Sequence, residues 1–157
     1  MSVHYAVVAP IGGGKTTALR CLVLRLGTRA AGVLSLRVPG GYDLWVVPHG
    51  PRLPYARRQP PGTPVGRFWI REDQIQLAMT LLEPQSPRLW VLDEVGPLEV
   101  IQRRGWYSWL QQRVTQGKVP VVVAVRRDLF PRFLRVFAQA TWQELSPTDV
   151  DRLEEMG

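Results

Sequence analysis

A chain of 157 residues has room for one ordinary core and is too short for two domains of typical size, so a single domain over 1–157 is expected. Apolar residues make up 45% and charged residues 21%, as in a folded globular chain, and no apolar run approaches the length needed to cross a bilayer. The net charge of +7 favours anionic partners, but it comes from arginines scattered along the chain, with Lys15 and Lys118 as the lysines, so a nucleic-acid surface is compatible with the charge without being specified by it.

Residues 3–8, Val-His-Tyr-Ala-Val-Val, suit a strand buried in a parallel sheet, and Thr16 to Leu26 has the spacing of a helix. Between them lies Ala9-Pro10-Ile11-Gly12-Gly13-Gly14-Lys15-Thr16-Thr17. A strand, a glycine-rich turn, Gly-Lys-Thr and a helix make a phosphate-binding loop. Its logic is electrostatic and steric. Gly12, Gly13 and Gly14 let backbone N–H groups approach a triphosphate without Cβ clashes, and the positive end of the following helix adds to the attraction. Pro10 through Thr17 are the expected nucleotide-binding residues, with Lys15 reaching the β- and γ-phosphates and Thr16 ligating a magnesium ion. The first position of the motif is Ala9 in place of the usual glycine. Cys21 falls inside the helix and is assigned to the core; as the lone cysteine it forms no internal disulfide. With no leader-like basic start or cleavage site in residues 1–9, a reducing, cytoplasmic setting is expected.

Residues 31–38 and 42–47, joined by Pro39-Gly40-Gly41, read as an antiparallel hairpin added to the parallel core. Trp45 in it has two readings, a cover for a nucleobase or a core residue. From Pro48 to about residue 66 proline, glycine and arginine crowd together, and this stretch is expected to be a loop: either a lid closing Arg52, Arg57 and Arg58 over phosphates, or a solvated connection carrying His49. A brief extended run at 65–70 leads to a helix over 72–83, ended by Pro84.

Arg88-Leu89-Trp90-Val91-Leu92-Asp93-Glu94 is a hydrophobic strand ending in adjacent carboxylates. Behind a phosphate loop, the aspartate at such a strand end faces magnesium. Strand alternation points the next side chain elsewhere, so Asp93 serves the metal and Glu94 orients and polarises the attacking water. Lys15 and Glu94 are thus the candidate catalytic residues, and Thr16 and Asp93 the candidate metal ligands. A helix over 105–117 carries Trp106 and Trp109 on its core face, and 119–125 is another parallel-type strand. It ends at Arg126-Arg127, which are read either as sensors of the γ-phosphate or as a basic turn before a helix through Phe133 and Phe137. A strand at 140–145 and a helix with Ser146 as N-cap and Pro147 at its first position close the chain.

Three stretches together resemble the THEP-type nucleoside-triphosphatase family: Pro10 to Thr17, Val65-Gly66-Arg67-Phe68, and Leu92-Asp93-Glu94-Val95-Gly96-Pro97-Leu98-Glu99. The last is the most specific. The resemblance implies an α/β fold of RecA-like type, a mainly parallel sheet flanked by helices, with magnesium-dependent hydrolysis of nucleoside triphosphates such as ATP or GTP and loose base specificity. Two other readings of the same motifs stand beside hydrolysis. One is a small-molecule or nucleotide kinase using 49–67 as its lid; the other is a nucleotide-binding regulatory or assembly protein with slow hydrolysis. No Asn-Lys-x-Asp stretch reads guanine, and nothing in the sequence sets the oligomeric state.

Overall fold

The structure is a computed structural model that describes residues 3–156. Its strands are β1 (Val3–Ala9), β2 (Ala30–Val38), β3 (Gly41–Val47), β4 (Arg52–Arg57), β5 (Thr63–Val65), β6 (Phe68–Ile70), β7 (Leu89–Val95), β8 (Val121–Arg126) and β9 (Thr141–Leu145). The α-helices are α1 (Lys15–Leu26), α2 (Glu72–Leu82), α3 (Pro97–Val100), α4 (Tyr107–Gln116) and α5 (Phe130–Val136). All the strands join one sheet in the order β5-β6-β4-β3-β2-β7-β8-β1-β9. The half formed by β2, β7, β8, β1 and β9 is parallel, and the half from β2 outward through β3, β4, β6 and β5 is antiparallel.

The parallel half follows from sequence. Strands β1, β7 and β8 are almost continuous runs of apolar residues because helices cover both faces. On one face Leu19, Leu22, Val23 and Leu26 of α1 pack with Val150 and Leu153 of the C-terminal segment against Val7, Val91 and Val122. On the other, Ile75, Ala78 and Leu82 of α2, Trp109 and Leu110 of α4 and Phe133 of α5 pack against Val8, Leu92 and Val123. Trp106, Trp109 and Trp90 meet edge to face at ring separations of 5.4 Å, which accounts for the tryptophans as packing residues.

Three expectations change. Residues 48–66 are not a loop: β4 and β5 lie within them, and Arg57 is tied to Asp43 at 2.6 Å and to the Tyr42 carbonyl at 2.7 Å. Proline density concealed β4 because Pro54 lacks an N–H, yet it sits where the pairing with β3 shifts register, opposite Asp43, so the missing donor interrupts no regular ladder. The alternation of exposed Arg52 and Pro54 with buried Leu53 and Tyr55 is the pattern that survives in sequence. Cys21 is exposed rather than core, since it is two residues, about 200° of helix, from buried Leu19 and Val23. The C-terminal segment Pro147–Met156 is a 3-10 helix rather than an α-helix, with Ser146 Oγ donating to Asp149 Oδ2 at 2.9 Å at its start.

The crossing of β2 against β7 demands glycine at one position. Gly32 has φ 151°, and a Cβ there would lie 1.7 Å from the Val91 carbonyl oxygen. Gly32→Ala is expected to destabilise the protein by more than about 3 kcal/mol, read as a lowered midpoint of chemical denaturation.

Candidate functional site

β1 delivers the chain to the C-terminal edge of the sheet, where the loop turns back into α1. Gly12 and Gly14 hold φ 76° and 88°, and nothing lies within 4 Å of where their Cβ atoms would be. Glycine is there for the backbone conformation, and the open side is the one a phosphate would approach. Gly13 has a different reason: its Cβ would meet the Ala9 methyl at 2.7 Å and the Pro10 carbonyl at 2.9 Å. Alanine at the first position is therefore accommodated because residue 13 has no side chain. Lys15 is buried and its ammonium donates to the carbonyls of Ala9 at 3.2 Å and Pro10 at 3.1 Å, which holds the charge over the mouth of the loop.

Asp93 connects this loop to the sheet. Its Oδ2 accepts from Thr16 Oγ1 at 2.8 Å and from the Ser35 amide at 2.9 Å. The carboxyl is 2% exposed, and burial pushes its pKa up to about 7 against the lowering effect of those two hydrogen bonds and of Lys15. Glu94, one residue on, is exposed. The separation is sharper than alternation alone gives. Leu92 pairs with Val123 and Val95 with Val125, so β7 carries one extra residue between these pairs, a bulge that sets Glu94 at φ 67°. A non-glycine residue held there costs about 1–2 kcal/mol.

Glu99, quoted in the third motif stretch without a role, proves to be a structural anchor. It is 1% exposed, Oε1 accepts the Gly96 amide at 2.9 Å and Oε2 the Trp106 amide at 3.1 Å, closing the segment that follows the bulge. Burial raises its pKa to about 7 although the amides oppose the shift. Glu72 supports the same segment from α2 by accepting the Gly105 amide at 3.2 Å and the Thr63 hydroxyl at 2.6 Å while pairing with Arg104. Tyr55 of β4 completes this wall. Burial first, and then Glu99, Glu94, Asp93 and Glu72, push the pKa of its phenol well above the ordinary range.

Of the residues expected at the site, Lys15, Thr16, Asp93 and Glu94 gather at one edge. Arg126 reaches it too, opposite Ala9 in the register of β1 and β8, with Nε bonded to Asp128 at 2.6 Å. Arg127 turns away toward the Val8 carbonyl at 3.5 Å and Glu144 at 3.6 Å. Trp45 packs at the edge of the α1-side core, with the guanidinium groups of Arg20 and Arg52 each 5.9 Å from its ring centre. Ser35 and Tyr55 were not legible in sequence: one acts through its backbone amide, and the other lies in the proline-rich stretch.

Thr16 and Asp93 fit a magnesium ion. A hydroxyl and a carboxylate oxygen 2.8 Å apart are hard oxygen donors, and no cluster of three or more His, Cys, Asp or Glu side chains suited to a metal occurs among the described residues. That is a donor set for a cation that keeps waters and takes phosphate oxygens as its remaining ligands.

The strand order, with a glycine loop after β1 and an Asp-Glu pair at the end of β7, is that of a P-loop nucleoside triphosphatase. A family model described as NTPase matches residues 4–155, and the chain belongs to that family. Its structure is similar to the crystal structure of THEP1 from the hyperthermophile Aquifex aeolicus, with a TM-score of 0.74 over 98% of this chain and 95% of that one, at 23% identity. No curated protein matches the sequence. The resemblance drawn from the three motif stretches is thereby borne out.

Two outcomes are expected. Glu99 binds its proton more tightly folded than unfolded, so its contribution to stability is full below about pH 4.5 and is lost as pH rises through about 7; wild type should lose stability relative to Glu99→Gln over that interval in paired thermal melts. Glu94→Gly should raise stability by up to about 1 kcal/mol, because glycine tolerates the positive φ of the bulge, whereas Glu94→Gln, which keeps the strain, should leave it unchanged.

Proposed function

We propose that this protein hydrolyses nucleoside 5′-triphosphates to the diphosphate and phosphate, with magnesium as cofactor and little discrimination among bases. The observation that carries the reading is the pairing of a buried Asp93 on Thr16 with an exposed Glu94 in the adjacent bulge. Gly12 to Gly14 and the N-terminus of α1 bind the phosphates, and Lys15 stabilises charge on the β- and γ-oxygens. Thr16 and Asp93 hold the magnesium ion, which supplies charge neutralisation at the phosphates. Glu94, free of the hydrogen bonds that occupy Asp93, accepts a proton from the attacking water and orients it. Arg126, opposite Ala9 at the same edge, is assigned to sensing the γ-phosphate in exchange for its pairing with Asp128; Arg127, which reaches back toward the Val8 carbonyl and Glu144, is the weaker of the two candidates.

Against the kinase reading, much of its proposed 49–67 lid is held in the sheet as strands 52–57 and 63–65. Among the described residues no helix is long and apolar enough to cross a membrane. An exposed Cys21 thiol supports a reducing, cytoplasmic setting.

Phosphate release from ATP, GTP, CTP and UTP, each with magnesium or with chelator, tests the proposal. Turnover with all four is expected, abolished by chelator. Glu94→Gln should lower kcat by about 100-fold or more while nucleotide binding persists, and unchanged turnover in that variant would remove Glu94 from the mechanism.

A further inference from the structure

The antiparallel half of the sheet carries an arginine-lined cavity that hydrolysis does not use. At the far end of the β2–β3 hairpin a pocket of about 400 Å³ is lined by Arg37, Tyr42, Arg58, Arg67 and Phe68 around the Pro39-Gly40 turn. The three arginines come from three separate segments: the end of β2, the residue after β4, and the turn between β5 and β6. No Asp or Glu lines the pocket, and none of the three makes an ion pair among the described residues. The contrast with their neighbours is direct. Arg57, adjacent to Arg58, is neutralised by Asp43, as Arg104 is by Glu72 and Arg126 by Asp128. Like charges brought together by three strands without a counter-ion are relieved by an anion.

Position and shape narrow the anion. β2 runs parallel to β7 with Val33 opposite Leu92, so its outer end lies at the same sheet edge as the phosphate loop. Arg37 is two residues, roughly 7 Å, beyond Ser35, whose amide holds Asp93. The sheet order places this pocket on the side of Glu94 away from the phosphate loop. Guanidinium forks match phosphate oxygens two at a time. Half-buried Tyr42 and Phe68, edge to face at 5.6 Å, add aromatic surface beside the charges, and Arg67 lies 5.7 Å over the Phe68 ring. Arginines without counter-ions next to aromatic rings, in a volume that suits one nucleotide, are the ingredients of nucleotide recognition outside a phosphate loop. Val65-Gly66-Arg67-Phe68, a motif stretch that the hydrolytic site leaves unexplained, contributes Arg67 and Phe68 here.

We propose that this pocket is a second nucleotide-binding site, taking the phosphate and base of a nucleotide, free or within a single strand, other than the triphosphate held by the loop. The site is independent of whether the loop hydrolyses its ligand, and its test is made with the loop disabled. In a Lys15→Met background without magnesium, binding of a nucleoside monophosphate is measured by calorimetry and binding of a labelled single-stranded oligonucleotide by fluorescence anisotropy. Binding of at least one probe is expected. It should weaken at least about tenfold on Arg37→Ala with Arg67→Ala, and also on Arg58→Ala, in variants whose circular dichroism and melting are unchanged. Arg132→Ala with Arg135→Ala removes equal charge elsewhere and should weaken binding less than about twofold. Monophosphate binding alone assigns the site to a free nucleotide, and oligonucleotide binding alone assigns it to a strand. Failure of both probes to bind, or equal losses in the pocket and control variants, overturns the proposal.

Discussion

One carboxylate oxygen organises the active edge. Asp93 Oδ2 accepts from the hydroxyl that opens α1 and from the backbone of β2, so the phosphate loop, the end of β7 and the start of the antiparallel extension share a single acceptor. The arrangement needs burial, and burial has a cost visible in the raised pKa of Asp93. A carboxylate kept dry and partly unneutralised has much to gain from a cation, which is the property a metal ligand requires.

The bulge after Leu92 serves the same edge by the opposite route. A regular strand would place Asp93 and Glu94 on the two faces of the sheet, one under α1 and the other under the opposite helices. The extra residue frees Glu94 into the open at the expense of a strained backbone. Glu99 then fixes the chain downstream by accepting two amides, so that strain at Glu94 is retained by a rigid segment rather than dissipated in a mobile one. Within seven residues Glu99 anchors the chain, while Asp93 and Glu94 are the residues proposed to ligate metal and activate water.

The antiparallel half extends the edge away from the phosphate loop. Its outer strands β4, β5 and β6 are short, its arginines fall at strand ends or in the connections between strands, and Pro54 sits at a register shift. Such strands leave their outer ends accessible while the inner ends share the core, as Leu44, Leu53, Tyr55 and Ile70 do. The unpaired arginines lie at those outer ends, within the same edge as the proposed hydrolytic site.

Much of the parallel half was legible in sequence because its physics is local. Apolar runs too long to be half exposed fix β1, β7 and β8, and the spacing of Leu19, Leu22, Val23 and Leu26 fixes the buried face of α1. Lys15, Thr16, Asp93 and Glu94 stand out in sequence because a phosphate loop carries lysine and threonine at the start of its helix and pairs them with carboxylates at the end of another strand. What tertiary structure decided are the contacts made by backbone or between distant segments. Ser35 is an ordinary strand serine until β2 is laid beside β7, and β4 reads as loop until pairing with β3 absorbs the shift at Pro54. Glu99 is one more carboxylate until the chain folds back to present the Trp106 amide, and Arg37, Arg58 and Arg67 are scattered charges until three strands bring them to one pocket. A short-range pattern records which residues must be buried or must meet phosphate; it holds no record of which distant backbone will lie alongside.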